Sequence, residues 1–353
     1  MSDELHPLAE RYLDALYELP DALRVRRELE DELAAHLTGG SHVSIRGFWR
    51  IGKTTMMKGV LQRACERTGG AAFFLDLKDP EREDGLPQSV DAVLGRITAK
   101  VNEFLTRVGA TELKADPKKP LEVLGELAAP LFVGFDELVA LVALGPEGVK
   151  TVFDALLTTP KNVKVVVVAH RHRDMDALFE EHLLPRTAVS AMLGQVSDEE
   201  LVNLVNTPAM DCGVTFENET LGALAEVTGN RPWEVFTLCA MVAARLPKDF
   251  KGTIGPAKVD EVIDLDVLGS TPEGSALVET YLRILVTAMT AEERVVMELL
   301  SAGKEGEATE DALARLEDAG WIAMKEEGAL ITSGLMEGIA RALADGEIRV
   351  SVE

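Results

Sequence analysis

The chain carries several residue groups whose types and spacing suit phosphate chemistry. Residues 43–58 read VSIRGFWRIGKTTMMK, in which Gly47, Gly52, Lys53 and Thr54 fit the pattern G-x-x-x-x-G-K-[ST]. Glycines at these places let backbone N–H groups turn inward around phosphate oxygens, and a following helix adds partial positive charge at its N-terminus. Lys53 is then expected to reach the β- and γ-phosphates and Thr54 to ligate Mg²⁺. The expected nucleotide-binding set is Gly47, Arg50, Ile51, Gly52, Lys53, Thr54 and Thr55. Phe48, Trp49, Arg50 and Ile51 fill the loop interior with bulk. A phosphate cradle uses mostly their backbone, so their side chains can point outward and bulk there does not disqualify the loop.

A second group is LFVGFDEL at 131–138. An apolar strand that ends in two acids places Asp136 to hold Mg²⁺, commonly through water, and Glu137 to orient and deprotonate an attacking water. Alone the pattern is weak, because helix starts also favour acids. One β-α unit downstream of a phosphate loop, it gains weight. VVVVAHRHRDMD at 165–176 offers His170 at a strand end, with Arg171 second, to sense the γ-phosphate or hold the lytic water. A solvated charged loop is the competing reading. Metal binding by His170 and His172 lacks a third nearby ligand. Arg186 and Arg231 are candidates to stabilise charge on a transferring phosphoryl group, and a salt-bridge or surface role is equally open for each. No N-K-x-D guanine-reading motif appears, which favours ATP and ADP over guanine nucleotides.

The elements that must position these residues are legible in outline. Residues 5–38 show helical spacing in two runs, and SHVSIRG is a short β-rich run that ends at the loop. KTTMMKGVLQRACERT follows as a helix closed by Gly69-Gly70. Further strands are expected at 71–77, 131–135, 163–169 and 187–193, separated by helical patterns. Strands apolar along their whole length and alternating with helices predict a mostly parallel α/β sheet. Residues 109–120 read as an exposed loop. After about residue 193 strands are expected to stop and a helical bundle to begin, with Ser197 and Glu200 as a capping box. The last stretch predicts helix, two short strands around Glu327-Gly328, and helix, the order of a winged helix-turn-helix.

Composition narrows the partners. The 353 residues hold 60 acidic against 36 basic side chains, a net charge of -24. Residues 291–353 alone carry six Lys/Arg against fifteen Asp/Glu. Such a field repels nucleic acid and anionic lipid, whereas a groove-reading module normally presents a basic face. Nucleic acid is therefore not the expected partner. A protein partner, with self-association as a further option, is. Cys65, Cys212 and Cys239 are too few and too widely spaced for a disulfide framework and are expected to be buried thiols. With no apolar run approaching 18 residues and an acidic N-terminus, a cytoplasmic protein without a membrane span is expected.

These residues together resemble the AAA+/STAND-type P-loop ATPases, in particular the archaeal-type AAA ATPase group. The resemblance runs over about residues 20–245. It is carried by VRRELEDELAAHLTGGSHVSIRGFWRIGKTTMM, FFLDL, LFVGFDEL, VVVVAH, LLPRTAVSAMLGQVSDEEL and VTGNRPWEV. Arg27-Glu28, Arg50 in the loop, and Gly229 with Pro232 match places where that group carries recurring residues. The resemblance implies an α/β P-loop NTPase core of the ASCE/AAA+ type with the 163–169 strand between the Asp136 strand and the phosphate loop. A helical lid and a winged-helix domain follow. It implies the divisions 1–40 (N-terminal helical segment), 41–193 (ATPase core), 194–270 (lid) and 271–353 (winged helix). It further implies that Arg231, with Pro232, contacts nucleotide as a lid sensor, and that Arg186 stands where many relatives carry an arginine finger or a nucleotide-contacting arginine. GNRP lies between the lid forms of the two groups, which leaves rapid turnover in an assembly and slow switching both open. The expected function is an ATP-hydrolysing, Mg²⁺-dependent switch acting on a partner protein. A DNA-binding initiator or transposition-type ATPase and a nucleotide-bound scaffold with little turnover are the alternatives.

Overall fold

The computed structural model describes residues 6–17, 24–48, 50–82, 85–170, 179–183, 186–187, 189–263, 271–285, 289–304, 308–318, 321–325 and 328–345. Two compact units divide the chain. One comprises residues 27–47 and 52–193, the other residues 1–26, 48–51 and 194–353. The interior of the phosphate loop therefore groups with the second unit, while its flanking glycines and Lys53 group with the first.

The first unit is built on a five-stranded parallel sheet. Its strands are β1 (Val43–Gly47), β2 (Ala71–Asp76), β3 (Leu131–Asp136), β4 (Val163–His170) and β5 (Val189–Leu193). The spatial order is β2-β3-β4-β1-β5, so β4 lies between the Asp136 strand and the phosphate-loop strand, as the resemblance implied. β3 is buried at every position and β4 at all but Lys164. That explains why both read as unbroken apolar runs, since helices cover both faces of a parallel sheet. Register decides what meets at the sheet's carboxyl end. Gly47 pairs with His170, and Asp76 with Asp136, placing the last residues of four neighbouring strands along one edge. Ligands of open α/β sheets bind at this end.

Helix Lys53–Thr68 leaves the loop directly. Its N-cap, Gly52, sits at φ 93°, a left-handed conformation that costs glycine nothing. No side chain caps this terminus and no acid occupies its first turn, so its N–H groups keep their capacity for an external anion. The helix closes at Gly69, whose N–H donates to the Cys65 carbonyl.

The second unit is mainly helical. Helix Pro7–Tyr17 packs on helix Pro232–Ala244, and the Tyr12 hydroxyl donates to the Val205 carbonyl at 2.6 Å. Helix Asp198–Asp211 begins with the expected Ser197/Glu200 capping box. The expectation that strands end near residue 193 requires correction. β6 (Val214–Phe216) and β7 (Gly252–Ile254) form a short parallel pair. Three-residue strands are too short to leave a period in the sequence. Farther along come helices Pro272–Arg283, Ala291–Ser301 and Glu310–Asp318, the antiparallel β8 (Ile322–Lys325) and β9 (Gly328–Ile331), and helix Gly334–Ala344. Glu327, in the expected turn, lies outside the described residues. Of the three thiols only Cys239 is buried, Cys65 and Cys212 being half-buried. No described helix is long and apolar enough to cross a membrane.

Candidate functional site

At the carboxyl end of the sheet a continuous chain of polar contacts runs through the first unit. Lys53 Nζ lies 3.0 Å from His170 Nδ1, and His170 Nε2 lies 2.8 Å from Glu137 Oε2. Lys78 Nζ reaches the same carboxylate oxygen at 3.1 Å. An ammonium has donors only, so Nδ1 accepts from Lys53 and the ring proton sits on Nε2, donating to Glu137. Beside this chain the Thr54 hydroxyl donates to Asp136 Oδ2 at 2.5 Å, and the Glu137 N–H donates to Asp136 Oδ1 at 2.8 Å.

Local backbone produces this convergence. β3 carries Asp136 to the sheet edge, and the chain then turns through Glu137 at φ 58°, outside the range that non-glycine residues favour. Among the described residues, the other non-glycine positions with positive φ are Arg26, Arg50 and Asn230. Each such conformation costs about 1–3 kcal/mol and survives where its surroundings over-determine it.

Burial shapes the charges. Lys53 is 4% exposed, and burial lowers its ammonium to about 8 against the pull of Glu137 and Asp136. It remains a cation at neutral pH. Burial, then the Lys53 charge, brings His170 down to about 4, which keeps the imidazole neutral. Burial pushes Glu137 up, but donation from His170 and the Lys78 ammonium prevail and hold it near 2 as a carboxylate. Asp136 is raised by burial and by its acidic neighbour, with the Thr54 hydroxyl opposing. A cation, a neutral imidazole and an ionised carboxylate thus alternate, each polar group satisfied by the next.

The structure brings together Lys53, Thr54, Asp136, Glu137 and His170, all five expected from sequence, and adds Lys78, which was not. Lys78 follows β2, the neighbour of β3 in the sheet, so sheet order was the signal that could have found it. Gly47 and Gly52 flank the loop, and Thr55 is half-buried in the first helical turn. The Ile51 carbonyl accepts from Arg26 Nη1 at 2.9 Å in the second unit. There too the Arg50 guanidinium stacks 4.3 Å from the Trp233 ring centroid. Arg231 is buried, its guanidinium 3.7 Å from the Trp321 ring centroid and donating to Thr332 Oγ1 at 3.3 Å, while Pro232 opens helix Pro232–Ala244. Arg186 is exposed and paired with Asp154. Trp49, Arg171 and His172 lie outside the described residues.

The residues present fit both expected ligands. A glycine-flanked loop, an uncapped helix N-terminus and a buried lysine suit nucleotide phosphates. No group of three His, Cys, Asp or Glu residues that could cage a metal occurs among the described residues. One hydroxyl and one carboxylate suit Mg²⁺, which takes few protein ligands and completes its shell with water and phosphate oxygens.

The five-stranded parallel sheet, with a glycine-flanked loop leading from β1 into helix Lys53–Thr68, is a P-loop NTPase fold. No protein-family model and no curated protein sequence matches the chain significantly. Solved structures do. The chain is similar to the Walker-type ATPase PABY2304 of Pyrococcus abyssi, with a TM-score of 0.59 and 15% identity over 90% of this chain and 96% of that one. It is also similar to Cdc6p of Pyrobaculum aerophilum, with a TM-score of 0.50 and 13% identity over 95% and 99%.

Proposed function

We propose that this chain binds ATP with Mg²⁺ and hydrolyses it as a conformational switch that acts on a partner protein. The observation that carries the reading is the unbroken contact chain Lys78–Glu137–His170–Lys53 beside Thr54–Asp136. Loss of His170 from this chain of contacts would take an acceptor from the buried Lys53 ammonium and a donor from Glu137.

In this reading the loop's N–H groups and Lys53 hold the β- and γ-phosphates. Thr54 and Asp136 hold Mg²⁺, which supplies charge neutralisation at the phosphates when bound. Glu137 acts as general base. His170 and Lys78 both engage its Oε2, which leaves Oε1 to accept from the attacking water. His170 passes orientation, not a proton, between Lys53 and Glu137, because its ring is neutral and its single N–H is already committed. Arg186 and Arg231 serve the γ-phosphoryl only after leaving Asp154 and Trp321, so each is a candidate for the moving part of the switch. Residues 194–270 act as lid and 271–353 as a winged-helix module. The acidic excess of residues 291–353 favours a protein contact over a DNA contact.

Hydrogen exchange of residues 194–353 tests the switch. In Glu137→Gln protein, ATP–Mg²⁺ and ADP are expected to give different protection patterns there. Identical patterns under saturating nucleotide would remove the switch reading.

A further inference from the structure

Phe48, Arg50 and Ile51 belong to the same compact unit as residues 194–353, and three contacts fix them there. The Phe48 ring, 4% exposed, meets the Trp321 ring edge-on, with centroids 4.8 Å apart and planes at 70°. Arg50, held at φ 58°, lays its guanidinium 4.3 Å from the centroid of Trp233. The Ile51 carbonyl accepts from Arg26, whose guanidinium also donates to the Gly194 carbonyl and whose backbone N–H donates to Glu200 Oε1.

Trp321 is the meeting point. It is fully buried at the start of β8, with Phe48 on one side, Tyr281 at 6.0 Å and the Arg231 guanidinium at 3.7 Å. Its carbonyl accepts from the Thr332 backbone N–H at 2.9 Å and from the Thr332 hydroxyl at 3.2 Å, and that hydroxyl in turn accepts from Arg231. Its indole N–H finds no acceptor among the described residues. The ring packs by its faces and edges against Phe48, Tyr281 and the Arg231 guanidinium.

A phosphate loop works through the directions of its backbone N–H groups. Whatever fixes Phe48, Arg50 and the Ile51 carbonyl fixes those directions. We infer that Trp321 and Trp233 are positioning residues for the phosphate loop, setting its nucleotide affinity through Phe48 and Arg50, and that nucleotide binding in turn repacks Trp321 and the β8–β9 hairpin. This rests on the nucleotide-binding reading above and deepens it by naming the route of regulation. Reciprocity is obligatory. If the hairpin's packing alters affinity at the loop, occupancy of the loop alters the hairpin by the same factor.

The test uses the full chain with Trp49→Phe and Trp233→Phe, which leaves Trp321 as the single tryptophan and keeps an aromatic ring under Arg50. A fluorescent ATP analogue measures affinity separately. ATP–Mg²⁺ is expected to shift Trp321 emission with the same midpoint as binding. Adding Phe48→Leu, which keeps an apolar side chain in the core but loses the ring edge, is expected to abolish the shift and weaken binding about five- to tenfold. Phe48→Tyr is expected to restore both. Nucleotide binding with unchanged Trp321 emission, or Phe48→Leu affinity equal to the parent's, overturns the relay alone. A wild-type chain that binds no nucleotide overturns the functional reading and the relay with it.

Discussion

Two buried charge clusters in this molecule are built on opposite plans. At the sheet edge, Lys53, His170, Glu137 and Lys78 form a sequence in which each group lies within hydrogen-bonding distance of the next. In the other unit, Arg231 and Glu234 stand 3.9 Å apart, and the Glu234 Oε2, Asn230 Oδ1 and Trp321 Nε1 atoms are buried without a hydrogen-bond partner among the described residues. The first cluster spends its geometry on mutual hydrogen bonds. The second packs its guanidinium against aromatic area and shows fewer mutual hydrogen bonds among the described residues. A fully satisfied network specifies one arrangement. A partly satisfied one is the better candidate for an element with two arrangements, since its present state is the less heavily favoured.

The contrast can be broken first at its tightest point. His170→Ala removes the link between a buried cation and a buried carboxylate, and is expected to cost about 1–3 kcal/mol of stability for each stranded group, read by denaturant titration. It also predicts a pH signature. The folded-state value of His170 is depressed to about 4 from 6.5, so the unfolded chain takes up a proton first. Stability is then full above pH 6.5 and falls as pH drops from 6.5 toward 4. His170→Ala should lack that part of the slope.

The second cluster depends on close backbone approach. A Cβ on Gly229 would lie 2.4 Å from the Thr332 carbonyl oxygen and 2.7 Å from Arg231 Nη1, at φ 56°. Gly229→Ala is expected to destabilise the unit by about 2 kcal/mol, seen as a lowered melting temperature. A normal melting curve would mean that the Gly229 turn and the segment just after β9 do not need this contact.

Much of this was legible in the sequence, and what was not has a common cause. The strands were readable because a parallel core buries whole runs such as VKVVVVAH. Lys53, Thr54, Asp136, Glu137 and His170 were readable because each ends a strand or starts a helix at a fixed offset from one. Arg26, Lys78 and Trp321 were not. Their partners are set by sheet order and by packing between residues up to 273 positions apart, as for Phe48 and Trp321, and no local period encodes that. β6 and β7 escaped because three residues carry no alternation. Arg231 was read in the helical stretch just after Gly229, and only structure reveals the aromatic ring it faces.

Smaller effects sharpen the contrast. Burial raises the Glu234 carboxyl to about 8, with Arg231 and Tyr281 opposing. The unfolded chain releases that proton near 4.5 and the folded chain holds it until about 8. The contribution is therefore full below 4.5 and lost as pH rises to 8. Glu234→Gln should flatten this decline in pH-dependent denaturation, whereas an unchanged slope would mean that Glu234 is ionised against Arg231. Arg186→Ala removes an exposed pair with Asp154, and its stability change should stay within about 1 kcal/mol. A large loss of ATP turnover in that variant would assign Arg186 to the phosphoryl group, and unaltered turnover would assign it to the surface.

The central claim is that the contact chain at the sheet edge is a hydrolytic nucleotide site with Glu137 as its base. Phosphate release from ATP–Mg²⁺ by wild type and by Glu137→Gln, at concentrations where both are shown to bind ATP, tests it most directly. Retained binding with turnover lowered by about 10²–10⁴ is predicted. Equal turnover in the two proteins, or a wild-type chain that does not bind ATP, would contradict it.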